Sequence, residues 1–508
     1  MIRTKSKDKI TIEIFAIILL FIGLTILLNA FAWTIGTQSD NAVFVLVAKD
    51  IVDGNGLNGW ILPKHSYLTT DVLFHIIVIL IYGFSPSLMH IVPAIIYAMI
   101  IVIAAYLASQ NFDSSRKWIV RVTTIITLTM FIGPWNVHGY LSNAVHITTI
   151  LFILVSLLLL ASRNKIAEIL SYVVMVAAII ADPLAIVIGV VPILFSVVCK
   201  KIRKYKDENW VNNKLALKII ATLIISQIIH FLLPIITGLK YTANTEPHLF
   251  FKVPTFSELI INTQFLGQTI LHLFGAYFIG QPIDVIGIGY FVRFILIILL
   301  GYAVWKWITS RSFSLVDSVM IFAILLNTIA FMFFHTEEPQ TRYIFTIPIF
   351  GIILITRAIG KHKLTRHYGL VLGIIFTLII IMWIPSVMLS PVDERHIIIG
   401  NWLLEHDLYN GYGTYWSSHI ITIWTEGKVS IAPVVFDGRS IVPFMHNTNM
   451  KWYEDTQESP RTFLIFDDVT DWSGINENTG IAMWGEPSLI NIVEGKTILI
   501  WDHPISIP

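Results

Sequence analysis

Apolar runs close to twenty residues long, separated by short polar stretches, recur along most of the chain. That is the length a helix needs to cross a bilayer, roughly 20 residues. The pattern predicts spans over residues 11–33, 88–108, 118–133, 143–161, 167–181, 183–199, 215–237, 285–305, 316–334, 343–360 and 368–389, about eleven crossings. The apolar stretch 68–82 is shorter, about 15 residues; it carries Asp71 and His75 and stops at Gly83-Phe84-Ser85-Pro86. It reads as a helix lying in the outer interface. After residue 390 the pattern changes to alternating polar and β-branched positions with Gly and Asp turns. This predicts a helix over 393–405 and strands near 429–435, 462–466 and 497–501, a small α/β domain over 391–508.

Lys and Arg fix the direction of these spans, because they collect on the cytoplasmic side. Basic clusters stand at Arg3 to Lys9, Arg116/Lys117, Arg163/Lys165, Lys200 to Lys206, Lys306/Arg311 and Lys361/Lys363/Arg366. Counting 68–82 as a crossing would put Arg116/Lys117 and Arg163/Lys165 outside. Leaving it in the interface keeps every cluster inside. The expectation is a multi-pass cell-membrane protein with a cytoplasmic N-terminus and an extracytoplasmic tail domain. Its transmembrane domain, 1–390, has a first outer loop over 34–87 and a long outer connection over 238–283. The first run ends in Ala30-Phe31-Ala32, which resembles a signal-peptidase site, but at 11–33 it is longer than a signal h-region of roughly 7–15 residues and reads as an uncleaved anchor.

Composition narrows the function class. Of the 508 residues 55% are hydrophobic and 13% charged, well below the roughly 25% charged of soluble domains, and the mean hydropathy is +0.74. A net charge of +1 without basic runs interleaved with aromatics excludes a nucleic-acid partner. The single cysteine, Cys199, excludes an intramolecular disulfide and a cysteine metal cluster.

Candidate chemistry falls almost wholly in the expected outer segments. Asp40 follows the first span and opens the outer loop, either as a catalytic carboxylate or, with Ser39, as the cap of an amphipathic helix over 42–52. The loop continues into Trp60-Ile-Leu-Pro-Lys-His-Ser-Tyr67, which offers Lys64 and Tyr67 as substrate contacts. Thr69-Thr70-Asp71 reads as an ordinary N-cap. Asp182-Pro183 suits a helix restart, Asp capping and Pro at the first position, or a carboxylate that orients groups around a bound lipid phosphate or the acceptor. Glu337, Glu338, Arg342 and Tyr343 cluster before a late span; a guanidinium there can hold a phosphate by paired hydrogen bonds, or Arg and Tyr can serve as interfacial anchors. His138, His146 and His335 are outer histidines, read as solvated or as ligands or proton carriers. Tyr412, Tyr415, Trp416, Trp452 and Tyr453 in the tail can stack on sugars or fill the tail's core.

A first span, an outer loop with an early Asp and interfacial helices, an Asp-Pro turn, an Arg-Tyr entry to a late span and an outer α/β tail: this arrangement resembles the GT-C superfamily of membrane glycosyltransferases, over most of residues 10–390. The resemblance implies a polyprenyl-phosphate- or polyprenyl-diphosphate-linked sugar donor, an envelope polymer, glycolipid or protein acceptor, and inverting transfer on the outer face. Asp40 matches the first-loop acidic residue that serves as general base, and Arg342 the basic residue that contacts the donor phosphate. The chain departs from oligosaccharyltransferase-like members, which carry an acidic metal motif in the second outer loop; residues 134–146 contain no Asp or Glu. No strong ligand motif for a divalent metal stands out, and metal dependence is left open. The competing reading is a transporter or flippase of a lipid-linked envelope precursor, for which ionisable groups near the bilayer midplane and a repeated half are the expected marks; Arg121, Asp317 and Arg357 lie near span ends instead.

Overall fold

The computed structural model describes residues 7–132, 138–142, 146–242, 254–310, 312, 314–333, 344–361, 373, 395–467 and 472–507. In chain order the helices are α1 (Lys7–Ala32), α2 (Ser39–Val52), α3 (Leu73–Tyr82), α4 (Leu88–Ala108), α5 (Ser114–Phe131), α6 (Ile147–Ala161) and α7 (Lys165–Ala181). They continue as α8 (Val191–Ile202), α9 (Asn213–Thr237), α10 (Phe256–Leu273), α11 (Val285–Thr309), α12 (Leu315–Phe333) and α13 (Thr346–Lys361). The tail holds α14 (Arg395–Glu405), α15 (Tyr415–Trp424), α16 (Met450–Glu458) and α17 (Glu477–Trp484). Wide π-type turns over Leu68–Val72 and Ile186–Val190 lead directly into α3 and α8, and a third lies at His138–Ser142.

The chain folds into two compact units. The first comprises Met1–Thr34, Pro93–Ile228 and Glu246–Ser390, and the second Ile35–Val92, Ile229–Thr245 and Pro391–Pro508.

The first unit is helical. Among the described residues five helices are long and apolar enough to cross a membrane: Thr11–Ala32, Leu88–Ala108, Asn213–Thr237, Gly287–Thr309 and Leu315–Phe333. On α1, Ile12, Phe15, Leu19 and Ile26 stay exposed, the outward apolar surface that lipid covers. The predicted spans 118–133, 143–161, 167–181, 183–199 and 343–360 coincide with α5, α6, α7, the π turn plus α8, and α13. The span 368–389 lies outside the described residues, Gly373 apart. The sequence pattern predicts neither the tail helices α15, α16 and α17 nor one helix of this unit. The connection 238–283 carries the 18-residue α10, whose Thr255 Oγ1 accepts from the Glu258 amide while Glu258 accepts from the Thr255 amide, a capping box.

At one end of this unit the helix termini are tied by ionic groups. Arg357 donates to Asp317 and to the carbonyls of Leu107, Ala108 and Gln110, so it satisfies the last turn of α4 from α13. Lys361 reaches the other Asp317 oxygen at 2.7 Å. Glu208 accepts from the Leu315 amide at the start of α12, and Arg203 donates to Ile308 O near the end of α11.

The second unit is built on two sheets. The first loop, the strand after α9 and the tail contribute one strand each to the smaller: β1 (Trp60–Leu62) lies between β2 (Lys240–Tyr241), parallel, and β6 (Thr448–Asn449), antiparallel. Gly59 enters β1 at φ +92, and a Cβ there would stand 2.8 Å from Asn449 Oδ1, so only glycine fits the approach. The larger sheet comprises β3 (Asn410–Gly413), β4 (Ser430–Phe436), β5 (Ile441–Pro443), β7 (Thr462–Asp467), β8 (Leu489–Val493) and β9 (Lys496–Trp501), in the order β5-β4-β3-β7-β9-β8. Strands β4, β3 and β7 run parallel, with α15 crossing between β3 and β4. Alternation splits β7 cleanly. Phe463 and Ile465 pack with Ile399, Leu403 and Ile421 on one face, while Leu464 and Phe466 pack with Tyr412, Tyr453 and Trp501 on the other. Tyr412 and Tyr453 are therefore core residues.

Candidate functional site

Asp40 occupies the first turn of α2, and the capping explanation for it fails. The N-cap is Gln38, which makes no side-chain cap bond, and Ser39 Oγ instead donates to the main-chain oxygen of Tyr415 at 2.6 Å. Asp40 Oδ1 accepts from the Tyr415 hydroxyl at 2.5 Å. These contacts join the start of α2 to the start of α15, both in the second unit.

Behind Tyr415 the bonding continues. Asn447 Nδ2 donates to the Tyr415 oxygen at 3.0 Å, and His419 Nε2 stands 2.7 Å from the Asn447 carbonyl. Asn447 has φ +53, a conformation asparagine tolerates better than most residues. Burial pushes the Tyr415 hydroxyl well above its ordinary value, and the charge of Asp40 and the bond to it push the same way. It therefore keeps its proton and donates. Burial also holds His419 down at about 4, so the ring is neutral at physiological pH. Facing a carbonyl, its Nε2 is the protonated nitrogen. The result is a one-way series of donors that fixes Oδ1 of a partly exposed carboxylate. Oδ2 makes no bond to a described residue.

Farther along α2, Asp50 Oδ2 accepts from Trp60 Nε1 at 2.8 Å and from Asn449 Nδ2 at 3.0 Å, which fastens the helix to the smaller sheet. Tyr67 is buried, with φ +51, its ring edge-on to Phe44 one turn after Asp40. Lys64 is exposed in the same loop. Asp71 is not an N-cap. The helix starts at Leu68, before it, and the fully buried Asp71 accepts from Thr70 Oγ1 at 2.9 Å.

Asp182 lies in the first unit. Its Oδ1 accepts from the Leu184 amide at 2.9 Å, the restart expected of Asp-Pro, while Oδ2 bonds His146 Nδ1 at 2.7 Å and Thr149 Oγ1 at 2.8 Å. His146, read as a lone histidine, is thus oriented by a buried carboxylate. His138 begins the turn His138–Ser142. His335, Glu337, Glu338, Arg342 and Tyr343 lie outside the described residues. Among the described residues no three His, Cys, Asp or Glu side chains gather as a metal site.

No protein-family model and no curated protein matches the chain. Solved structures do. ArnT from Cupriavidus metallidurans in the apo state matches with TM-score 0.56 at 11% identity, covering 98% of this chain and 100% of that one. The same protein bound to undecaprenyl phosphate matches with TM-score 0.59 at 10% identity, covering 99% and 100%. The Archaeoglobus fulgidus oligosaccharyltransferase tethered with an acceptor peptide matches at TM-score 0.46 and 10% identity, covering 89% of this chain and 69% of that one. The chain shares the fold of ArnT, and its long apolar helices are those of a multi-pass membrane protein.

Proposed function

We propose that this protein is a membrane glycosyltransferase that moves a sugar from a polyprenyl-phosphate-linked donor to an envelope polymer, glycolipid or protein on the outer face, with inversion. The observation that carries the reading is the carboxylate of Asp40, partly exposed and held at one oxygen by Tyr415. An inverting transfer needs a base within hydrogen-bond reach of the acceptor hydroxyl. Oδ2 of Asp40 takes that proton, the acceptor oxygen bonds to the anomeric carbon, and the bond from that carbon to the phosphate oxygen breaks. The phosphate departs with the electron pair and requires a cation beside it. Arg342 is assigned to the donor phosphate on the likeness to GT-C enzymes, and Lys64, Tyr67, His138, Glu337 and Tyr343 are proposed as further substrate-binding residues. Asp182 acts by orienting His146. The lipid-linked donor is supported by the match to ArnT, whose solved form holds undecaprenyl phosphate.

The test is Asp40→Asn, which keeps shape and removes the base. Purified protein with a polyprenyl-phosphate-sugar donor and an envelope extract as acceptor should lose about 100- to 10,000-fold of its transfer rate, the usual share of a general base. Melting temperature and membrane insertion should not change. Transfer at the wild-type rate by the variant removes Asp40 from the mechanism.

A further inference from the structure

The connection between α8 and α9 surrounds a basic cavity of about 430 Å³, at the end of the first unit where ionic groups tie the helix termini. Four lysines line it: Lys200, Lys201, Lys204 and Lys214. One water needs roughly 10–15 Å³, so a phosphate ester with its glycerol fits. Lys200 is the buried member, only 8% exposed. Its ammonium donates to the carbonyls of Glu208 at 2.6 Å and Val211 at 3.1 Å, which holds the loop in place around the cavity. Lys201, Lys204 and Lys214 are exposed, and Asn213 adds an amide.

No carboxylate lines this cavity. Glu208 is turned to the Leu315 amide at the start of α12, and Arg203 to Ile308 O and the ring of Trp307. Among the described residues Lys201, Lys204 and Lys214 pair with no carboxylate, in contrast to Lys218 and Lys361, which have Glu168 and Asp317. A topological signal needs only positive charges near the end of a span; it does not need them to converge on one space. Cations gathered around one cavity repel one another, and an anion between them relieves that. Beyond the lysines both helices turn apolar surface outward. On α9 the exposed Leu217, Ile220, Ile224 and Ile228 follow Lys214 at spacings of three and four, one helical face, and on α8 Phe195, Val198 and Ile202 are exposed in the same spacing.

We infer that the cavity between α8 and α9 binds the phosphodiester headgroup of an anionic glycerophospholipid, taken from the leaflet that this end of the helices meets, with the acyl chains along the two exposed apolar stripes. An ammonium is a strong donor to phosphate and acts as a point charge, so several lysines around an open space accept a headgroup without a fixed fork geometry. Basic pockets between spanning helices hold acidic headgroups for this reason. A soluble anion would answer the lysines but leave the stripes unused; a phospholipid answers both. This binding is independent of the reaction proposed above.

The test is native mass spectrometry of detergent-purified full-length protein titrated with phosphatidylglycerol and with phosphatidylcholine of the same acyl chains. Wild type should bind phosphatidylglycerol more tightly. The triple variant Lys201→Gln/Lys204→Gln/Lys214→Gln should weaken phosphatidylglycerol by about tenfold or more, at about fivefold for each charge removed, and leave phosphatidylcholine unchanged. These side chains are exposed, so the melting temperature without lipid should stay at the wild-type value. If the triple variant does not fold, Lys204→Gln decides, and about fivefold weaker binding of phosphatidylglycerol alone supports the site. Lys165→Gln/Lys206→Gln removes two exposed lysines that do not line the cavity and should bind as wild type does. Equal weakening by both sets would reduce the effect to general surface charge and overturn the site. So would a folded triple variant with wild-type binding, or a wild type that does not distinguish the two lipids. Inorganic phosphate or glycerophosphoglycerol, the headgroup without its chains, should fail to displace the lipid at equal concentration; displacement would make the ligand a soluble anion and overturn the lipid assignment.

Discussion

A carboxylate is a useful base only if it is held still, and Asp40 is held by a group far away in sequence. Tyr415 lies 375 residues on and is buried, so its hydroxyl keeps its proton and donates throughout the working pH range. Tyr415→Phe removes that bond and little volume. A hydrogen bond to a charged group is worth about 1.5–3 kcal/mol, so kcat/KM for transfer should fall about 10- to 100-fold. A positioning role makes the loss conditional on the base: in an Asp40→Asn background the same change should cost almost nothing further. Full additivity of the two losses, measured in a double-mutant cycle, would mean that Tyr415 acts elsewhere. Asp40 can be singled out as a candidate from sequence because a lone acid just past a first span stands out. Tyr415, Asn447 and His419 cannot, because no local pattern links Asp40 to a tail; the Ser39-Asp40 pair even pointed to a cap, which Gln38 takes instead.

At the scale of elements, α15 carries the support for the site. Tyr415 and His419 are four residues apart on one helical face, and their ring centroids are 5.1 Å apart. Because burial holds His419 at about 4 in the folded protein, against 6.5 when unfolded, the unfolded chain binds more protons between those values. Stability is therefore full above about pH 6.5 and falls as the pH drops toward 4, by about 3 kcal/mol from this group. His75, held at about 4 by burial in α3, contributes in the same window and with the same sign. Thermal unfolding followed by tryptophan fluorescence should show a lower melting temperature at pH 5 than at pH 7.5, and His419→Gln should reduce the difference. An unchanged difference in that variant would deny His419 its neutral, buried state. Which elements could be read in advance follows from the strength of their pattern. The helix and three strands foretold in the tail fall close to α14, β4, β7 and β9, where apolar positions alternate or recur over several residues. Strands β1, β2, β5 and β6, two or three residues each, are too short to show a period. The helix α10 was missed because Ser257, Glu258, Asn262, Thr263, Gln264 and Gln268 dilute its apolar face, although Thr255 and Glu258 carry a capping signature.

For the whole molecule the open quantity is which side of the membrane each end of the helices faces. Charge counting assigns the Lys200–Lys206 segment and the ends of α11 and α13 to the cytoplasm. Contacts within the first unit supply an independent argument. Arg203 on Ile308 O, Glu208 on the Leu315 amide, and Arg357 on the last carbonyls of α4 and on Asp317 bring those same segments to one end of the helices. Arg121, near the start of α5, joins Glu13 near the start of α1 at 2.9 Å and Ser109 just after α4 at 3.0 Å, and so belongs to that end. Segments gathered at one end must share a side, so a single measured position orients all of them. Cys199 is the only cysteine, so Cys199→Ala gives a background for single labels. In it, Lys206→Cys on the exposed basic segment should react with a membrane-impermeant maleimide only after the cells are permeabilised. Asn55→Cys, exposed in the loop after α2, should react in intact cells. The opposite pattern would put Asp40's loop in the cytoplasm and rule out transfer on the outer face, whatever the chemistry at Asp40.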